Sequence, residues 1–143
     1  MEKIKNNSKE FKSSLMNKAL SYLSKFSTTE SKLRSNLNSY GEKFFSEIRK
    51  EFLQSEINSV LKRCKELGYI NDETFAKNKI EKFINAGKSK KYIIVILQGY
   101  GISEEIIENS LEKYFGKFSN NDFLAALNFA RKKKDRTILS KTI

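Results

Sequence analysis

The residues of this 143-residue chain whose types and spacing suit chemistry are mostly cations. Lys88, Lys90 and Lys91 crowd the start of an apolar run. Lys32 and Arg34 stand at the start of an earlier short segment, and Arg131, Lys132, Lys133 and Lys134 form an unbroken run near the C-terminus. Their shared chemistry is attraction and neutralisation of a polyanion. The whole chain has the same bias, with 28 Lys and Arg against 17 Asp and Glu and a formal net charge of +11. Such a surplus concentrates polyanions at the surface and speeds association, so nucleic acid is the first partner to consider. The plainer reading of each cluster is a solvated face. For Arg131 to Lys134 a solvated tail and a phosphate-neutralising arm weigh equally.

Catalysis finds little to work with. The chain has no histidine, hence neither the commonest general base nor the commonest metal ligand. Its one cysteine, Cys64, can form no internal disulfide and no cysteine-based zinc site, and its apolar helical position suits a buried, inert thiol. Glu104 and Glu105 fall at a helix start, where exposed carboxylates are ordinary. Gly99 and Gly101 bracket Tyr100 without the remainder of a phosphate-binding loop. The expectation is therefore a protein with no catalytic residues, no metal and no other cofactor. Met1 to Glu10 is polar, and no apolar run suits a signal peptide or a membrane span, so a cytoplasmic protein without a membrane partner is expected.

The elements that must position these cations read as helices, and the absence of proline agrees with that. Residues 1–12 read as a flexible N-terminus. Leu15, Met16, Ala19, Leu20, Leu23 and Phe26 then recur at helical spacing. Ser27 and Glu30 fit a capping box opening a second, short helix, which carries Leu33, Leu37 and Tyr40 and stops at Gly41. A long third helix lines up Phe45, Ile48, Phe52, Ile57, Val60, Leu61, Cys64 and Leu67 before Gly68, with a phase shift near Leu53 that predicts a break or bend.

Asn71 or Asp72 caps a fourth helix with Phe75, Ala76, Ile80, Phe83 and Ile84 inward and Gly87 beyond it. Ser89 starts a fifth segment, Lys90 to Gly99. Ser103 starts a sixth, with Ile106, Ile107, Ser110, Leu111 and Tyr114 on one face and Gly116 closing it. A seventh runs from about Asn121 with Phe123, Leu127 and Ala130. The fifth segment is disputed: Tyr92 to Leu97 is six apolar residues, four of them β-branched, which by propensity reads as a buried strand. Two features favour helix. No other segment offers a strand partner, and the pattern apolar-x-x-x-Leu-x-x-Tyr-Gly occurs twice, as Leu33, Leu37, Tyr40, Gly41 and as Ile93, Leu97, Tyr100, Gly101. The unit is then three helices used twice, predicting an all-α fold of tandem three-helix-bundle repeats. The expected units are 13–68 and 69–116, followed over 117–143 by the first helix of a third unit and a basic tail, in an elongated, curved stack.

An ordered set of residues supports a family resemblance. It comprises Ala19-Leu-Ser-Tyr-Leu23; Leu33-Arg34 followed by Leu37; Val60-Leu61 through Leu67-Gly-Tyr-Ile-Asn-Asp72 to Phe75-Ala76; and Gly101-Ile-Ser103 followed by Ile106 and Ile107. In this order the residues resemble the RecX family of regulatory proteins over about residues 15 to 130. The resemblance implies tandem three-helix units that bind the RecA recombinase filament along its groove, inhibit or tune recombination in DNA repair, and in some members contact single- or double-stranded DNA. It implies no active site. The chain departs from the family pattern at Lys32, where an acidic residue is usual, in a longer connection from Gly41 to about Leu53, and in its abbreviated third unit. The alternative from a different class is a stand-alone nucleic-acid-binding module of helix-turn-helix type. That would need a recognition helix directing Arg, Asn or Gln at base edges, whereas the cations here are mostly lysines distributed along the chain.

Overall fold

The computed structural model describes residues 2–116 together with Asn128 and Phe129. Six helices account for it: α1 (Glu2–Lys25), α2 (Glu30–Phe44), α3 (Lys50–Glu66), α4 (Asp72–Asn85), α5 (Lys90–Gly99) and α6 (Glu104–Phe115). The fold is all-α, and no strand occurs among the described residues. The chain divides into two compact units, Met1–Asn71 and Asp72–Ile143, so α1 to α3 form one bundle and α4 to α6 the core of the other. The helix expected from about Asn121 lies outside the described residues, apart from helical Asn128 and Phe129.

In the first unit the inward stripe of α1 is Phe11, Leu15 and Ala19, all fully buried. Residues 2–12, expected from their polarity to be a flexible lead, belong to α1. The inward stripe reaches back to Phe11, four residues before Leu15 on the same face, where its ring meets Phe45 edge-on at 4.8 Å and Phe52 at 5.8 Å. The start of α2 also differs from expectation. Thr29, not Ser27, is the N-cap, its side chain accepting from the Lys32 N–H at 3.3 Å, and Glu30 is the first helical residue. The phase shift near Leu53 marks the start of α3 itself rather than a bend. Phe45 and Ile48 belong to the preceding turn, and the α3 stripe is Leu53, Ile57, Val60, Leu61 and Cys64.

The two Tyr-Gly pairs behave differently. Gly101 follows α5 with φ +77, and the N–H groups of Gly101 and Ile102 donate to the carbonyls of Gln98 and Leu97. That is the glycine stop expected from the sequence, since a side chain at this φ is strained. Gly41 instead lies inside α2, which continues one turn further to Phe44. It is buried on the same face as Leu33 and Leu37, and a Cβ placed on it would come within 2.6 Å of Leu53 Cδ1. Here glycine serves close approach of α2 to α3.

In the second unit strand propensity in Tyr92–Leu97 yields to burial. As a helix the segment buries Ile93, Ile94 and Leu97 against Phe75, Ala76 and Ile80 of α4 and Ile107 and Leu111 of α6, with its ladder groups satisfied internally. Its limits, Lys90–Gly99, are those predicted, and Ser89 and Ser103 cap α5 and α6 by accepting from the N–H groups of Tyr92 (3.1 Å) and Ile106 (3.3 Å).

A double-mutant cycle tests the contrast between the glycines. Gly41→Ala should lose about 1–2 kcal/mol in urea unfolding, as overpacking against Leu53 outweighs a helix-propensity gain of about 1 kcal/mol. In a Leu53→Ala background the same substitution should become neutral or stabilising, whereas the loss caused by Gly101→Ala should be unaffected by Leu53. Equal effects of Gly41→Ala in both backgrounds would refute the close-approach role.

Candidate nucleic-acid interface

The cations of the second unit gather through the way its three helices alternate. Phe75 near the start of α4 packs edge-on against Tyr100 at the end of α5 (4.9 Å), and Phe83 near the end of α4 packs against Tyr92 at the start of α5 (5.5 Å). Tyr114 near the end of α6 donates to Glu81 Oε1 of α4 at 2.7 Å. Helices α4 and α6 therefore run in one direction and α5 in the other. One end of the bundle holds the acidic first turns of α4 (Asp72, Glu73) and α6 (Glu104, Glu105). The opposite end holds Lys82 and Lys113 in the last turns of α4 and α6, with Lys88, Lys90 and Lys91 around the start of α5.

This alternation explains a placement that looks unfavourable in the sequence. Cations at a helix N-terminus oppose that helix's own dipole, but here the carbonyl ends of α4 and α6 flank the same region and favour positive charge. Gly87, at φ +74, turns the chain between α4 and α5, and the following Lys88 N–H donates to the Phe83 carbonyl at 2.9 Å. The backbone carrying the first lysine is thus pinned to the end of α4.

Each of the three lysines lies over an aromatic ring. Lys88 Nζ is 5.1 Å from the Tyr92 centroid, Lys90 Nζ 5.5 Å from Phe115, and Lys91 Nζ 4.1 Å from Phe129. A ring attracts an ammonium without cancelling its charge, so around the exposed Lys88 and Lys91 the site stays attractive to phosphate. The lysines stand out in the sequence, and the rings do not. Tyr92 opens the apolar run, and Phe115 lies far from the lysines in sequence, so no local spacing associates them.

The remaining predicted cations fare differently. In the first unit Lys32 is exposed on the first turn of α2. Arg34 is half-buried, ion-paired to Glu30 at 3.7 Å, and its Nη1 donates to Asn58 Oδ1 at 2.6 Å, linking α2 to α3. Lys65 Nζ of α3 reaches the same Glu30 at 2.6 Å. Arg34 is therefore a brace between helices more than a projecting cation. Arg131, Lys132, Lys133 and Lys134 lie outside the described residues. Cys64 is buried, and loss of hydration raises its thiol above the usual range, away from nucleophilic use.

No group of three His, Cys, Asp or Glu that could hold a metal occurs among the described residues. No described helix is long and apolar enough to cross a membrane. An open groove between α4 and α6, of about 590 Å³ and lined by Glu73, Lys77, Glu105, Asn109 and Lys113 among others, mixes both signs of charge and presents no catalytic grouping. No known protein family, curated protein or solved structure matches the chain.

Two outcomes follow from this geometry. Charge reversal of Lys88, Lys90 and Lys91 together should weaken binding of an oligonucleotide and reduce the magnitude of its salt dependence by roughly 2–3 in log–log slope, with the helical circular dichroism intact. An unchanged slope would remove these lysines from the interface. The hydrogen bond to Glu81, with some loss of hydration and the carboxylate's charge, holds the Tyr114 phenol above the usual tyrosine value. A raised pKa in the folded state contributes stability below the ordinary value of about 10 and loses it as pH rises through the raised one. The stability advantage of the parent over Tyr114→Phe should therefore shrink and then reverse in thermal melts at increasingly alkaline pH. A pH-independent difference would refute the bond's role in joining α4 to α6.

Proposed function

We propose that this protein is a non-catalytic, cytoplasmic regulator that binds RecA filaments on DNA and lowers recombinase activity, as a divergent relative of the RecX proteins. The supporting observation is the position of the division between units. It falls at Asn71–Asp72, within the Leu67-Gly-Tyr-Ile-Asn-Asp72 stretch that most resembles the family, where Gly68 ends the third helix of one bundle and Asp72 opens the first helix of the next. Two consecutive three-helix bundles are the architecture that the resemblance implies. A lysine-rich end on the second bundle suits a partner whose surface includes DNA phosphates.

The helix-turn-helix reading has less behind it. The helix that carries the clustered cations, α5, turns Ile93, Ile94 and Leu97 into its own core; its cations are lysines, and its one amide side chain, Gln98, is half-buried with Oε1 inside, so it suits backbone contact better than base-edge readout.

The decisive assay follows RecA ATPase and strand exchange on single-stranded DNA with and without the purified chain. Both rates should fall in a saturable manner. Unaltered rates at saturating protein would sink the RecA proposal.

A further inference from the structure

We infer that the lysine-bearing end of the second unit is a site for unpaired nucleic acid, in which bases stack on Tyr92 and Phe115 while Lys88, Lys90 and Lys91 take the phosphates. The inference extends the nucleic-acid side of the proposal above, yet stands on its own geometry and requires no recombinase.

The starting point is an oddity of exposure. Tyr92 is 39% exposed, Phe115 41% and Phe129 46%. Single exposed aromatics are ordinary. Three of them, each under a different ammonium from one four-residue stretch around the first turn of α5, form a patch with two chemical components. Lysines alone would answer phosphates of any nucleic acid, duplex included. Rings answer something a duplex does not offer, since its π-faces are already occupied in the base stack and only unpaired bases expose them.

The patch also has the adaptability such a ligand needs. An ammonium over a ring marks a face that another group can reach. Lys88 and Lys91 are exposed on flexible stems. A shift of a few ångströms carries each ammonium from the ring to a phosphate and leaves the face to a base, so neither interaction is given up without a replacement. Tyr92 is held for this purpose, its ring edge against Phe83 at 5.5 Å and its backbone N–H donating to the Ser89 cap. A platform fixed in advance loses little entropy on binding. The acidic first turns of α4 and α6 lie at the other end of the bundle, so the field steers a polyanion to the lysine-bearing end.

The test uses the full chain and three labelled probes at one ionic strength: an oligothymidylate, an abasic strand of equal length and a duplex of equal length. The oligothymidylate should bind roughly tenfold more tightly than either of the others. Tyr92→Ala should reduce that preference several-fold, and Tyr92→Ala with Phe115→Ala should abolish it, while affinity for the abasic strand stays unchanged. Because the chain has no tryptophan, Tyr92→Trp supplies a unique reporter that keeps a stacking ring. Its emission should be quenched by oligothymidylate and not by the abasic strand, which keeps the test valid even if Tyr92→Ala fails to fold. Equal affinity for the three probes, or binding of oligothymidylate without quenching, overturns the stacking site. Either result leaves the RecA proposal to its own assay.

Discussion

A ten-residue helix with Ile93, Ile94, Val95, Ile96 and Leu97 in sequence cannot sit on a surface with one side to water. That constraint organises the second unit. Ile93, Ile94 and Leu97 are buried and Val95 and Ile96 are half-covered only because α5 is packed by both α4 and α6. Sandwiching a short helix between two neighbours through tight turns requires it to run against both. The direction of α5 then decides which residues meet at each end, and the chemistry of the unit follows. Its lysine-bearing start is brought to the carbonyl ends of α4 and α6, and the carboxylates of their first turns are sent to the far end.

The first unit solves the same closure problem with longer helices and a different use of glycine. Leu33 and Leu37 of α2 and Ile93 and Leu97 of α5 are all fully buried, so the matched apolar positions do perform the same task. The correspondence ends at the glycine. After Tyr100 the chain must turn at once, and only glycine does so at φ +77 without strain. After Tyr40 the helix continues, and the missing side chain at Gly41 admits Leu53 from α3. Identical dipeptides thus serve a stop in one bundle and a close contact in the other.

Charge is handled in two ways along the chain. Around Glu30, Arg34 and Lys65 converge on one carboxylate, and Lys12 pairs with Glu56, 3.6 Å apart. Such partly exposed pairs add little stability individually, but they absorb the field of the cations involved. Other lysines meet rings, which hold an ammonium in place while its positive field persists: Lys18 and Lys43 over Tyr40 and Phe44 in the first unit, and Lys88 and Lys91 over Tyr92 and Phe129 in the second, the last two from a single stretch at the start of α5. A high total charge is therefore not evenly useful, and its arrangement on the fold directs attention to one end of one bundle.

Where the controlling forces are local, residues alone were sufficient for most features, the cap of α2 excepted, which falls on Thr29 and not Ser27. The all-α class, the limits of α5, the serine caps of α5 and α6, and the glycine stops at Gly68, Gly87 and Gly101 depend on neighbours within a turn or two, and spacing exposes such neighbours. Three features depended on partners distant in the chain, and only the packed structure decided them. Phe11 needed Phe45 and Phe52 to bring it into the inward stripe of α1, Gly41 needed Leu53 to define its role, and the lysines of α5 needed Phe115 and Phe129 to become more than a charge run. Burial and ring contacts act through space, and a linear pattern carries no record of which distant side chain will arrive.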